Sequence, residues 1–437
     1  MTTELPGRIR RGYGFGSVAT GTFGTVPGLL LLPYLTDTIG IGAALAGVLV
    51  FAPKAWDVIL NPIAGRISDR SKNPGGRRRP FLIRAGLTLA VLFAVMFAGP
   101  TEPQGFAAAW VAIAFLGCAS AYAFFQVPYV AMPAELTLDY AERTGLMTWR
   151  VVVLALAILL SGATAPIVAN NFGHTAMGSY VGAIIAVGVI GAWWGTHGAP
   201  EHATETALDS FGDQLKLVGS NADFRALLFT FVIQAAAIGT VLAGVAYVAD
   251  DLLNSAAAAT LLFVAFVGPA LVVTPLWERY AKNRGKRSGY SIATGFLIFG
   301  MVGLFAAHSG LLVMTYFAAA LVGIGYAGAQ VFPMAMMPDV AAEDAKQTGE
   351  NRIGVFTGVW TAGETLGLAL GPGIFALALA TGGYLSSTGS ETVTQPDSAL
   401  LAIGIGFSVV PAVLAVVSLA LLRGYRLDDR LRNANES

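Results

Sequence analysis

Charge is scarce in this chain. Of its 437 residues only 12% are Asp, Glu, Lys or Arg, against roughly 25% in a soluble domain. Hydrophobic residues make up 55% and mean hydropathy is +0.67, so the chain reads as a membrane protein. The formal net charge is zero, which argues against a nucleic-acid partner. Cysteine is almost missing: Cys118 stands alone in an apolar segment, which excludes a disulfide framework and a cysteine metal site. His174, His197, His202 and His308 all fall near the ends of apolar runs, and none pairs with another at metal-ligand spacing. No His-Glu-x-x-His motif occurs, and no serine or cysteine nucleophile sits beside a candidate base. An enzyme is therefore not expected, nor a metal or cofactor. The alternating short strands of a membrane β-barrel are missing as well.

What is there is a series of continuous runs rich in Ala, Leu and Gly. A spanning helix needs about 20 apolar residues. On that criterion twelve spans are predicted, at 13–35, 41–64, 80–99, 106–131, 146–170, 178–197, 224–248, 256–280, 289–307, 311–337, 353–380 and 398–422. The fold class expected is an all-α membrane protein of twelve transmembrane helices. The basic start "MTTELPGRIRRGYGFG" has no small-residue cleavage site behind it and is expected to be an arm leading into the first span, not a cleaved signal.

Lys and Arg are distributed one-sidedly. Arg8, Arg10 and Arg11 precede the first span, and Arg66, Arg70, Lys72, Arg77, Arg78, Arg79 and Arg84 crowd the connection between the second and third. Arg143, Arg150, Lys216, Arg225, Lys346 and Arg352 flank later even-to-odd connections; Arg279, Lys282, Arg284, Lys286 and Arg287 fill the eighth-to-ninth, and Arg423, Arg426, Arg430 and Arg432 follow the last span. The opposite loops carry Glu102, Asp250, Asp251, Glu391 and Asp397 but no Lys or Arg. Every basic residue except Lys54 thus falls on one side, which the positive-inside rule makes the cytoplasm. The expectation is a multi-pass protein of the cytoplasmic membrane with both termini inside, surrounded by lipid and monomeric.

The longest polar connection, "GAPEHATETALDSFGDQLKLVGSNAD", occupies 198–223. It divides the chain into an N-terminal six-helix half (1–197), a cytoplasmic central loop (198–223) and a C-terminal six-helix half (224–437). Both halves place a basic loop after their second span. Two such halves are the mark of the major facilitator architecture, with a substrate site between them near the midplane.

The connection after the second span reads "GRISDRSKNPGGRRRP", and Gly65-x-x-x-Asp69-Arg70 with a basic cluster behind it resembles the cytoplasmic signature of the major facilitator superfamily. Gly65 is expected to let the second span approach a neighbour, and Asp69 to pair with an arginine and hold one gate state, making Gly65, Asp69 and Arg70 the cytoplasmic gate. For Arg77, Arg78 and Arg79 the expected role is topological only. "YGFG" at 13–16, "PYLTDTIG" at 33–40, "AWDVILNPIAGRISD" at 55–69, "RRRPFL" at 77–82, "LTLDYAERTG" at 136–145 and "PDVAAEDAKQTGENRIGVFTG" at 338–358 together resemble the glycoside–pentoside–hexuronide:cation symporter family, whose best-known members are melibiose permeases. The similarity is spread over both halves.

"KAWDVILNP" at 54–62 puts Lys54 and Asp57 within one turn of an apolar run, where lone charges are expensive and by default functional. Three apart, they share a helix face and could neutralise each other. The resemblance implies instead that the aspartate helps bind the coupling cation. Asn61, one turn on, stands where the family usually has a second aspartate, and Gln126-Val-Pro128 stands for its Asp-x-Pro. Ala123 matches a hydroxyl that helps bind sodium in some members. The sugar-binding aspartate of melibiose permeases falls at Gly21, the tryptophan after the proline at Val130, and Arg150 keeps the family's arginine. A hard cation wants several oxygen ligands, carboxylates among them, so sodium is doubtful as the coupling ion, and galactoside binding is disfavoured.

Glu364, in "GVWTAGETLGLALG", sits in mid-span where many members have lysine. A buried carboxylate is pushed up by desolvation and down by a nearby cation. Asp57 and Glu364, with Asn61, are therefore the expected proton-coupling residues, one acid in each half; the alternative is a fixed ion pair of Glu364 with Lys54 or Arg150. Lys54, Gln126, Arg150, Tyr122, Trp360 and Gln330 are the expected substrate contacts, though aromatic rings in helices more often simply pack. Gln234 and Trp56 are weaker candidates. The Gly-rich runs "GTFGTVPG" and "GLALGPG" are expected to allow close packing. The function expected is proton-coupled symport of a sugar, glycoside or related small polar solute by alternating access. The alternatives are a lysolipid or amphiphile transporter, suited by "LLLLPYL" at 29–35, and a binding or sensor protein without coupling.

Overall fold

The computed structural model describes residues 5–71, 73, 76–137, 140–199, 219–255, 257–348, 353–389, 393–428 and 430. Most of the expected central loop (200–218), Gly349 and Arg352 lie outside these residues, as does the side chain of Asp69. The described chain is helical: α1 (Gly7–Pro33), α2 (Ala43–Asp69), α3 (Arg79–Phe97), α4 (Gln104–Leu136), α5 (Tyr140–Phe172), α6 (His174–Gly195), α7 (Ala222–Tyr247), α8 (Ala258–Arg284), α9 (Lys286–Gly303), α10 (Leu312–Thr348), α11 (Ile353–Gly382), α12 (Asp397–Phe407) and α13 (Val409–Leu422). Short π turns extend α1 (Tyr34–Thr38) and α7 (Val248–Leu252), and a 3-10 turn extends α9 (Leu304–Ser309). With no water in a bilayer core, backbone groups must be satisfied within the segment, which is why the apolar runs are helices.

Among the described residues, twelve spans are long and apolar enough to cross a membrane, one for each predicted run. Two differ in extent. The tenth span continues to Thr348, because "DVAAEDAKQT" carries the helix past the end of its apolar stretch. The last span breaks at Ser408 (φ −124°, ψ −67°) into α12 and α13. Pro411 has no N–H to donate to the Phe407 carbonyl, which removes a helix hydrogen bond at this break.

Contacts divide the chain into two compact units: Met1–Ile41, Ala52–Leu208 and Ser387–Glu391 in the first, Gly42–Phe51, Asp209–Ser386 and Thr392–Ser437 in the second. In the first unit α1 packs on α5 and α6, and α3 on α4 and α6. Gly12 and Gly195 make the α1–α6 crossing possible, since a Cβ on Gly12 would lie 2.3 Å from the Gly195 Cα. The first unit also takes in a strap from late in the chain: the Ser387 N–H donates to the Thr36 carbonyl at 3.0 Å and the Gly389 N–H to that of Asp37 at 3.1 Å.

In the second unit α7 packs on α11 and α13, α10 on α8 and α9, and α9 on α13. Gly371, from "GLALGPG", is indispensable to close packing: its Cβ would fall 2.2 Å from the Gly239 carbonyl carbon. "GTFGTVPG" needs less, because a Cβ at Gly24 would meet nothing within 4 Å. The start of α2 belongs to this unit, with Gly47 against Ala376 (2.5 Å for an added Cβ).

Candidate functional site

In the first unit α2 carries Lys54, Asp57 and Asn61 on successive turns. Asp57 is only 1% exposed, and neither of its carboxylate oxygens has a hydrogen-bond partner among the described residues. Lys54 does not neutralise it with an ion pair. The Lys54 ammonium lies over the Phe23 ring of α1, 4.7 Å from its centroid, and that ring packs against Tyr122 at 4.7 Å. Tyr122 is thus tied to the same cluster through Phe23. A cation over a ring face is held by the ring's quadrupole, so the ammonium acts on Asp57 through its field and not through a hydrogen bond.

Gln126 on α4 has a buried Oε1 that likewise has no hydrogen-bond partner among the described residues. Close by in sequence, Tyr129 organises the other candidate of this unit. Its hydroxyl donates to the Tyr13 carbonyl at 2.8 Å and meets Ser17 Oγ at 2.9 Å. Its ring stacks on Tyr13 at 4.8 Å, and the Arg150 guanidinium lies 5.7 Å from its centroid. Tyr13, Ser17 and Tyr129 were not singled out by sequence. "YGFG" marked Tyr13 only as part of a motif, and nothing in a linear pattern aims Tyr129 at α1.

In the second unit Glu364 lines a small cavity of about 40 Å³ with Phe231, Gln234, Tyr326, Gln330 and Leu368. Gln330 and Glu364 are thereby brought together, and Tyr326, one turn before Gln330, reaches the Gln330 amide. Gln234 is committed to its own unit: it accepts from the Tyr290 hydroxyl at 2.8 Å and donates to Thr294 at 2.8 Å. Trp360 is not among the residues lining this cavity. It is 1% exposed and stacked on Phe231 at 4.5 Å, and its buried indole Nε1 has no hydrogen-bond partner among the described residues.

The expected gate residues fare unevenly. Gly65 is not needed for close approach, since an added Cβ would meet Val127 at 3.5 Å, an ordinary contact. Arg70 is exposed, and Asp69 ends α2 with its side chain outside the described residues. The arginines assigned to topology alone are the ones the fold uses. Arg78 Nε donates to Glu135 Oε1 at 2.7 Å, Arg77 stands 3.5 Å from the same oxygen, and Arg78 also reaches Ser68 Oγ at 3.4 Å. Arg79, 7% exposed, donates to the Ala199 carbonyl. Burial of a charge demands such pairing, and Glu135, at the end of the apolar "PYVAMPAEL", was the available signal. The second unit has its own loop pair, Lys286 with Asp339 at 2.5 Å. Nearby, Asp428 accepts from the Arg287 N–H that opens α9 at 2.8 Å, and Asp223 pairs with Arg430. Burial pushes the Tyr425 hydroxyl above its ordinary range, and the neighbouring Asp428 charge adds to this.

Twelve apolar helical spans and no strand among the described residues, with buried ionisable groups inside the spans, define a secondary membrane transporter of the major facilitator type. The chain matches the family model described as MFS/sugar transport protein over residues 12–429, and it belongs to that family. It is 25% identical to the putative glycoside/cation symporter YagG of Escherichia coli (strain K12), covering 98% of this chain and 93% of the relative. It is also 25% identical to the sodium-dependent lysophosphatidylcholine symporter 1 of Gallus gallus, covering 97% and 87%. Among solved structures, the fold is similar to a bacterial homolog of the human lysosomal transporter Spinster (TM-score 0.67, 12% identity, 97% and 96% coverage). It is likewise similar to the nucleoside transporter NupG (TM-score 0.65, 12% identity, 94% and 98% coverage). The resemblance first carried by "YGFG", "AWDVILNPIAGRISD" and "RRRPFL" thus holds across the chain.

Proposed function

We propose that this transporter carries a sugar, glycoside or related polar solute together with a proton, by alternating access, with Asp57 and Glu364 as the coupling acids. The observation that carries the reading is Asp57: a carboxylate 1% exposed inside a span, with both oxygens unpaired among the described residues. Such a group is costly in a bilayer unless function requires it. Glu364 supports it from the second unit, in a cavity with Gln330 and Tyr326. Relatives named as a glycoside/cation symporter and a glucuronide carrier support the solute class. Sodium fits the residues poorly, since amides stand at Asn61 and Gln126. The one-sided Lys and Arg support a cytoplasmic-membrane protein with both termini inside, which we take to act as a monomer.

A second reading, transport of a lysolipid, is favoured by one observation: two relatives are named lysophosphatidylcholine symporters. Thermal unfolding of the purified protein separates the readings, because a ligand that binds only the folded state raises apparent stability. Stabilisation by one class of saccharide or glycoside, changing with pH and not with sodium, is the expected result. Stabilisation by lysolipids alone would put the second reading first. In proteoliposomes, gradient-driven uptake left intact by both Asp57→Asn and Glu364→Gln would remove these acids from the mechanism.

A further inference from the structure

Away from the candidate site, α3 and α4 enclose an open groove of about 410 Å³, within the range of about 300–1,000 Å³ usual for ligand pockets. One wall is a stripe of α3: Phe81, Arg84, Ala85 and Thr88. The other is a stripe of α4: Gly117, Ser120, Ala121 and Phe124. Both follow the i, i+3, i+4, i+7 spacing that puts residues on one helix face. This is not the face by which α3 meets α6. Gly86 and Ala90, on the other side of the helix, meet Val189 and Gly182 of α6.

The two ends of the groove differ in chemistry. At one end stand Ser71 and Asn73, from the basic connection, with Arg84. Arg84 is exposed and pairs with no acidic side chain among the described residues. Arg66 and Arg70, at the end of α2 that leads into the same connection, are exposed as well. Deeper in the spans, the outer faces of the same two helices present Val91 (61% exposed) and Ile113 (72%). Apolar side chains this open, within membrane spans, are solvated by lipid tails. The groove therefore runs from a cationic, hydrogen-bonding mouth to a floor of small residues between two phenyl rings, along the lipid-facing side of the helices.

We infer that this groove holds an anionic phospholipid, with its phosphate on Arg84, Ser71 and Asn73 and an acyl chain along Ala85, Gly117 and Ala121. Ala85 and Ala121 leave room for the chain, and Gly117 lets Leu92 of α3 close the groove behind it. Arg84, with no acidic partner among the described residues, selects for negative charge, as basic pockets between spans do. A soluble anion would satisfy Arg84 and leave the apolar floor empty, so the acyl chain is the distinguishing part of the ligand.

The test uses the full-length protein, purified and stripped of lipid. Binding of phosphatidylglycerol and of phosphatidylcholine with the same acyl chains is followed by native mass spectrometry and by the thermal unfolding midpoint. Phosphatidylglycerol is expected to bind more tightly and to raise the midpoint. Arg84→Gln is expected to weaken phosphatidylglycerol about fivefold, the equivalent of about one surface charge, and to leave phosphatidylcholine unchanged. Ser120→Trp, which fills the groove from a hydroxyl on its rim, is expected to weaken phosphatidylglycerol while leaving Arg84 in place. Glycerol phosphate, the headgroup chemistry without a chain, is expected not to compete. The inference is overturned if the two lipids bind alike to the wild type, if Arg84→Gln binds phosphatidylglycerol as the wild type does, or if glycerol phosphate displaces the lipid.

Discussion

Arg78 and Glu135 meet at 2.7 Å, with side chains 8% and 4% exposed, and they fasten the connection after α2 to the end of α4. Arg77 and Ser68 complete the contact from the same side of the unit. Removing one partner of such a pair strands the other charge. Arg78→Ala is expected to destabilise the protein by about 3–5 kcal/mol, read as a lowered unfolding midpoint in detergent. Arg70→Ala, on an exposed side chain, is expected to stay within about 0.5 kcal/mol. Equal effects from the two would show that the buried pair contributes nothing beyond charge on this side.

Lys54 rests on the Phe23 ring and makes no ion pair with Asp57. Phe23→Leu keeps an apolar side chain and removes the ring face, so it is expected to cost about 2 kcal/mol of the desolvated cation–π contact, besides lost packing against Phe93 and Phe115. Pairing Phe23→Leu with Lys54→Met in a double-mutant cycle isolates the contact. A coupling energy of zero would mean that the ammonium draws nothing from the ring.

Glycines in spans differ in what they permit. Gly371→Ala forces a Cβ to within 2.2 Å of the Gly239 backbone and is expected to cost about 1–3 kcal/mol, as overpacked cores do. Gly24→Ala meets nothing within 4 Å and is expected to raise stability by up to about 1 kcal/mol through helix propensity. Thermal unfolding of the two variants side by side decides whether backbone contact or composition explains these runs.

On the proposed coupling, Asp57→Asn and Glu364→Gln are each expected to abolish accumulation against a concentration gradient while sparing exchange of solute across a membrane at equal pH. A proton that need not be bound or released cannot drive uphill transport, yet binding of solute still permits exchange. Solute-specific counterflow in proteoliposomes, compared with uptake under an imposed pH gradient, separates the two activities. Loss of both together would make these acids part of solute binding instead.

Much of this molecule was legible in its sequence. Apolar runs of spanning length gave the twelve helices, because a bilayer leaves the backbone no other partner. Short motifs carried the family. Lys54, Asp57 and Glu364 stood out simply because charge in a span is rare. Three-dimensional proximity was not written in any of these patterns. Sequence spacing put Lys54 beside Asp57, yet the ammonium lies on a ring contributed by α1. Arg77 and Arg78 read as topological charge in sequence, and α4 brings Glu135 to them; Trp360 stacks on Phe231 of α7. The grouping of Tyr326 and Gln330 with Glu364 joins α10 to α11. In each case the deciding contact comes from another helix, and helix-to-helix register is set by side-chain packing over the whole unit, where the local residue order holds no record of it.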